Sequence, residues 1–122
     1  MQPEQFPELL HTAFLLEAEG ADDFRVRLAG TFLYELYGRE VTGLTVRQTV
    51  SDPADARALL AAYRRCLAEC RPHYARREMT WRPTGAPLVF ERVVAPFADA
   101  AGRPRFLLGV CAFYTSTGAR FA

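Results

Sequence analysis

The sequence predicts an α+β domain: one five-stranded antiparallel sheet of order 2-1-5-4-3, with short helices and one longer helix on one face. Three observations lead there. The first thirty residues hold a period-two hairpin pattern around a Gly/Asp turn. A capped amphipathic helix spans residues 53–70. Beyond it, three strand-like runs are separated by Pro/Gly/Asp turns. A lone hairpin is marginal, so its edge must find a partner, and one continuous sheet with the first strand beside the last is the simplest arrangement.

Residues 1–11 form a cap segment in which Pro3, Pro7, Phe6, Leu9 and Leu10 suit a ragged helical turn. Thr12 to Ala18 reads as the first strand. Gly20-Ala21-Asp22-Asp23 supplies the turn. Phe24, Val26 and Leu28 then fall on one face of the second strand, with Arg25 and Arg27 on the other. Thr31 is a fair N-cap for a two-turn helix carrying Phe32, Leu33, Leu36 and Tyr37, and Gly38 is placed to stop it. Residues 42–46 read as a short turn.

The longer helix has Asp52 as N-cap, Pro53 at its first position and Asp55 in its first turn. Ala56, Leu59, Leu60, Tyr63, Leu67 and Cys70 make its apolar stripe, opposite Arg57, Arg64, Arg65 and Glu69. Pro72 ends it. In the third strand, His73 to Arg82, Ala75, Met79 and Trp81 oppose Tyr74, Arg76, Glu78, Thr80 and Arg82. The fourth strand runs from Leu88 to Phe97. The fifth, Arg105 to Thr115, is apolar on both sides, which predicts a central strand covered on both faces.

The 122 residues are half hydrophobic with a formal net charge of +1, which fits one globular domain over 1–122 and argues against disorder. No apolar run approaches a membrane span, and the start lacks the features of a secretory signal, so a cytoplasmic location is expected. Three cysteines form no framework and fit reduced thiols. The chain has no Lys, Ile or Asn. The missing Ile favours a GC-rich coding bias over selection for bidentate Arg contacts.

Phe24-Arg25-Val26-Arg27-Leu28-Ala29-Gly30-Thr31, Glu35-Leu36-Tyr37-Gly38-Arg39-Glu40 and Thr42-Gly43-Leu44 resemble a bacterial subfamily of PAS domains. Glu91-Arg92, Ala95-Pro96-Phe97 and Leu107-Leu108-Gly109-Val110 add to the likeness, which covers the chain from about residue 12. The resemblance implies a sensory or signalling module, often dimeric, with a cavity between sheet and helices and no fixed ligand. With no kinase, cyclase or DNA-binding segment in the sequence, output is expected through a protein partner. Gly30 and Gly43 are expected where a side chain is forbidden. Arg27 and Glu35 are candidates for a pair or for two solvated charges.

A metal site from Cys66, Cys70, His73 and Cys111 lacks a zinc spacing, and buried structural thiols are the simpler reading. The flavin photosensors of the superfamily use a Cys within Asn-Cys-Arg-Phe, which a chain without Asn does not contain. Its haem sensors place a His on the long helix, whereas His73 lies beyond it and His11 before the first strand, where solvation is expected. The cofactor is therefore left unknown. No nucleophile–base–acid constellation, phosphate loop or Lys is present, so an enzyme is not expected; the alternatives are a small cavity isomerase or hydratase acting on an apolar substrate, or a haem-binding sensor. The Arg-rich stretch 64–82 suits a solvated face or an acidic protein partner better than nucleic acid. The candidate ligand-contacting residues are Phe32, Leu36, Leu59, Tyr63, Met79, Trp81 and Cys111, facing one another across the interior.

Overall fold

The computed structural model describes residues 7–50, 52–81 and 84–120; the side chains of residues 7–9, 80 and 81 are not among those described. Nine elements follow in order: α1 (Pro7–Thr12), β1 (Phe14–Glu19), β2 (Asp23–Ala29), α2 (Thr31–Tyr37), α3 (Val46–Thr49), α4 (Pro53–Glu69), β3 (His73–Trp81), β4 (Ala86–Ala98) and β5 (Pro104–Thr115). The strands form one antiparallel sheet of order β2-β1-β5-β4-β3, as expected, with β5 at its centre. Among the described residues no helix is long and apolar enough to cross a membrane.

The hairpin β1–β2 carries a bulge between Leu15 and Leu16 that inserts Arg27. Phe24 and Val26 are buried, but the bulge moves Leu28 to the opposite face, where it pairs with Leu15 and is 54% exposed. The expected grouping of Leu28 with Phe24 and Val26 is therefore corrected. Arg27 pairs with Glu17 at 2.7 Å across the same hairpin, not with Glu35.

Gly30, not Thr31, is the N-cap of α2, and Thr31 is its first residue. The Thr31 hydroxyl lies 2.6 Å from His11 Nδ1, so His11 is held against α2 although exposed. A Cβ on Gly30 would stand 2.2 Å from the Leu10 carbonyl oxygen, and Gly43 has φ of 91°, so both positions exclude ordinary side chains. The turn expected over 42–46 is present at Thr42 and Gly43, but Val46 already belongs to α3, which was not foreseen from the sequence: the Thr45 hydroxyl accepts from Gln48 N–H while the Gln48 side chain accepts from Thr45 N–H.

In α4, Asp52 caps Ala54 and Asp55 as expected. Its buried stripe is Ala56, Leu60, Tyr63, Cys66 and Leu67. Cys70, expected on that stripe, adopts a left-handed conformation as C-cap and is exposed; Cys66 takes the buried place. Arg64, expected on the wet side, folds back over the Phe24 ring at 4.7 Å and donates to the Asp23 carbonyl at 3.0 Å, latching α4 to the hairpin.

Candidate functional site

The register of the sheet sorts its side chains into two faces. Toward the helices point Phe14, Leu16, Phe24 and Val26 of the hairpin, Leu107, Cys111 and Phe113 of β5, and Leu88 and Val94 of β4, all buried. From the other side Leu33, Leu36, Leu60, Tyr63, Cys66 and Leu67 close over them. Tyr63 is the hub: its ring lies edge-on to Phe24 at 5.8 Å and tilted to Phe14 at 6.4 Å.

Six of the seven residues expected to line a ligand site fall within this one cluster. Leu36, Tyr63 and Cys111 are buried in it, and Phe32, Leu59 and Met79 pack half-buried against it. The Phe32 ring is 4.9 Å from that of Phe113. Trp81 lies on the same face of β3 by register, and its side chain lies outside the described residues. A shallow open groove at the far end of the sheet is lined by Met79, Leu88, Val89 and Ser116 among others, and Met79 is the one expected residue among those described that reaches it.

Sequence reasoning missed Arg92. It projects from β4 on the helix-facing side, in the cross-strand row Cys111–Arg92–Ala75, between Phe90 and Val94 along its own strand. Its guanidinium stands 5.2 Å from the Tyr63 ring and 5.8 Å from the Phe90 ring. The Nε–H is buried without a hydrogen-bond acceptor. None of the ion pairs among the described residues involves Arg92. Alternation along β4, which sets Arg92 in phase with Leu88, Phe90 and Val94, was the signal that places it inside.

The surroundings of Arg92 are apolar enough to shift neighbouring groups. Burial pushes the Cys111 thiol up to about 12 and raises the Tyr63 and Tyr37 phenols. In all three the Arg92 charge acts against that rise, so it lies within electrostatic reach of each.

Among the described residues no three His, Cys, Asp or Glu side chains gather as metal ligands, and the set Cys66, Cys70, His73 and Cys111 is dispersed. The Cys66 thiol faces the Arg71 and Val94 carbonyls, Cys70 faces the Leu67 carbonyl, and His73 Nε2 lies 2.6 Å from the Glu69 carboxylate. In the Arg-rich stretch, Arg64 serves the α4 latch, Arg71 lies near Glu69, and Arg76 lies 3.7 Å from Glu91 and over the Tyr114 ring. Arg82 lies outside the described residues.

The opposite face of the sheet is apolar at its centre and open. Leu108 of β5 is 43% exposed, flanked by Val93 and Phe97 of β4 and Leu28 of β2, each about half exposed. The outer face of β5 was expected to be covered either by residues 1–10 or by another subunit; the large helix packs on the inner side, and α1, the described part of that segment, reaches α2 and β5 without closing over Leu108. Ion pairs border the patch. Glu17 accepts from Arg27 at 2.7 Å and from Arg105 at 2.8 Å, and Glu91 accepts from the Tyr114 hydroxyl at 2.6 Å and from the Tyr74 hydroxyl.

Comparison with known proteins matches residues 1–112 to the family described as PAS domain. No curated protein matches the chain. Among solved structures, the chain is similar to the PAS domain of Bordetella pertussis BvgS, with 23% identity, a TM-score of 0.67, and coverage of 88% of this chain and 82% of that one. It is similar to a light–oxygen–voltage protein of Rhodobacter sphaeroides at 18% identity and TM-score 0.63, covering 97% and 71%. A sensory box histidine kinase/response regulator from Burkholderia thailandensis follows at 15% identity and TM-score 0.55, covering 95% and 87%. At these identities the likenesses show the fold, and function rests on the sites.

Proposed function

This chain belongs to the PAS domain family, and from that premise we propose that it is a non-enzymatic sensory or signalling module. It works through protein contacts made by the open face of its sheet, and its interior between sheet and helices accommodates a small apolar ligand.

The observation that carries this reading is the exposed apolar patch around Leu108 on the central strand. A central strand whose outward side chains remain open offers a contiguous apolar surface, the usual mark of an interaction site. Ion pairs of both signs at its border suit a second copy of the same surface, so a homodimer is the first contact, with a signalling partner for output. The aromatic residues Phe32, Tyr63, Phe90 and Phe113, together with Leu36, Leu59, Met79, Trp81 and Cys111, supply the apolar surroundings for the ligand.

The non-enzymatic reading is supported by the placement of reactive groups. His11 and His73 sit at the rim on Thr31 and Glu69, and burial raises the Cys66 and Cys111 thiols away from the thiolate form. The thiols stand on α4, at its cap and on β5, so the short helices α2 and α3 carry none for covalent flavin chemistry. Three free thiols also suit the reducing cytoplasm, where we place the protein.

Size-exclusion chromatography with light scattering, over a concentration series, tests the contact. The wild type is expected to dimerise, and Leu108→Asp or Phe97→Asp to give a folded monomer with unchanged circular dichroism. A wild type that stays monomeric throughout would remove the homodimer, and a dimer indifferent to both substitutions would move the interface elsewhere.

A further inference from the structure

We propose that the ligand of the interior is an amphipathic acid, a carboxylate head on an apolar body, and that Arg92 holds the head. The inference deepens the reading that the interior accommodates a ligand, and rests on it.

Arg92 is the feature that an apolar ligand alone leaves unexplained. Arg is almost never taken out of water unless paired, and buried polar groups are hydrogen-bonded in nearly every case. Here Arg92 is half-buried, its guanidinium lies against the Tyr63 and Phe90 rings, and its Nε–H is buried and unaccepted. The described acids near this end of the sheet are turned elsewhere: Glu91, next to it in sequence, points to the opposite face and is taken by Tyr74 and Tyr114, and Glu69 is taken by His73. The Nε–H is half of the fork that binds a carboxylate in two parallel hydrogen bonds.

The surroundings restrict the head group and specify the body. The cross-strand neighbours of Arg92 are Cys111 and Ala75, both short, so the sheet surface beside the guanidinium is low. The other charged groups on that face are His73, bound to Glu69, and Arg77, exposed and donating to the Arg76 carbonyl. One engaged guanidinium matches one negative charge, which favours a monocarboxylate over a phosphate dianion. The Tyr63 and Phe90 rings, with Phe113 beyond, suit an apolar chain or ring as the body.

Matched probes separate head from body: straight-chain acids from butyrate to decanoate and 4-phenylbutyrate, each beside the alcohol of the same skeleton. Binding is read by calorimetry and by amide chemical shifts at Tyr63, Arg92 and Cys111. The wild type is expected to bind the best acid roughly ten- to hundred-fold tighter than its alcohol, the range of a charge-assisted fork. Arg92→Met should lose this preference while binding the alcohol as before; Arg92→Lys, which keeps the charge without the fork, should retain part of it and stands in if the Met variant fails to fold. Equal binding of acid and alcohol by the wild type, or a preference that survives Arg92→Met, overturns the role of Arg92 and leaves an apolar ligand standing. If no probe of either series moves the interior signals, both the inference and the ligand reading fall.

Discussion

The two faces of β5 are nearly equal in hydrophobicity and opposite in fate. Leu107, Cys111 and Phe113 are buried under the helices, while Leu108, one residue from Leu107, is 43% exposed. Alternation assigns each residue to a face, but cover is a tertiary matter: a face is core only if another element lies on it. The comparison teaches that a doubly apolar strand marks the centre of a sheet without saying whether its second side meets the same chain or another one.

Paired truncations on β5 test this difference most strongly. Leu107→Ala, at a fully buried position, is expected to cost roughly 2–5 kcal/mol through lost transfer energy and a residual cavity. Against a total of about 5–15 kcal/mol for an ordinary domain, that is a large fraction. Leu108→Ala should cost the monomer less than about 1 kcal/mol, since much of that side chain already meets water. Urea unfolding at dilutions where no dimer persists measures both. Equal losses would mean that the open face is covered within the single chain.

The cations sort in the same way, with smaller effects. Arg64 lays its stem over Phe24 and donates to the Asp23 carbonyl, so Arg64→Ala removes packing, a cation–π contact and a hydrogen bond, a loss of about 1–2 kcal/mol. Arg105, half exposed on the other face, makes a surface pair, and Arg105→Ala should change stability by no more than about 0.5 kcal/mol. Thermal midpoints of the two variants decide it, and a larger loss for Arg105 would reverse the ranking of the faces.

What the sequence made legible follows the same division. Strand order, α4 with its Asp52 cap, and the turn at Gly20-Ala21-Asp22 rest on local chemistry and pattern, which one chain displays fully. Leu28 was misplaced because the bulge at Arg27 shifts phase by one residue, and nothing local announces a bulge. The α3 helix was legible in Thr45-x-x-Gln48, a capping box that went unread because Thr45 was taken into the turn over 42–46. Six of the seven proposed ligand-lining side chains lie together because apolar periodicity finds the core. Arg92 escaped because a charge invites the assumption of a wet face, although its phase along β4 placed it inside.

The smallest effect lies at the border of the open face, in Glu17. Its side chain is 15% exposed, its carboxylate accepts from Arg27 and Arg105, and these hydrogen bonds hold its pKa below the ordinary 4.5. Because the folded value is depressed, the unfolded chain takes up a proton first as the solution is acidified. The contribution is fully present above the unfolded value and disappears as pH falls through the folded one. Glu17→Gln should therefore lower the thermal midpoint slightly at neutral pH, with the gap to wild type closing on acidification below 4.5. Raised salt should shrink the same gap at neutral pH, since the pair sits near solvent. A gap that stays constant through the acid range would show that Glu17 acts by packing or hydrogen bonding alone. The border of the patch would then owe nothing to charge, and Arg27 and Arg105 would be free to meet acids on whatever docks there.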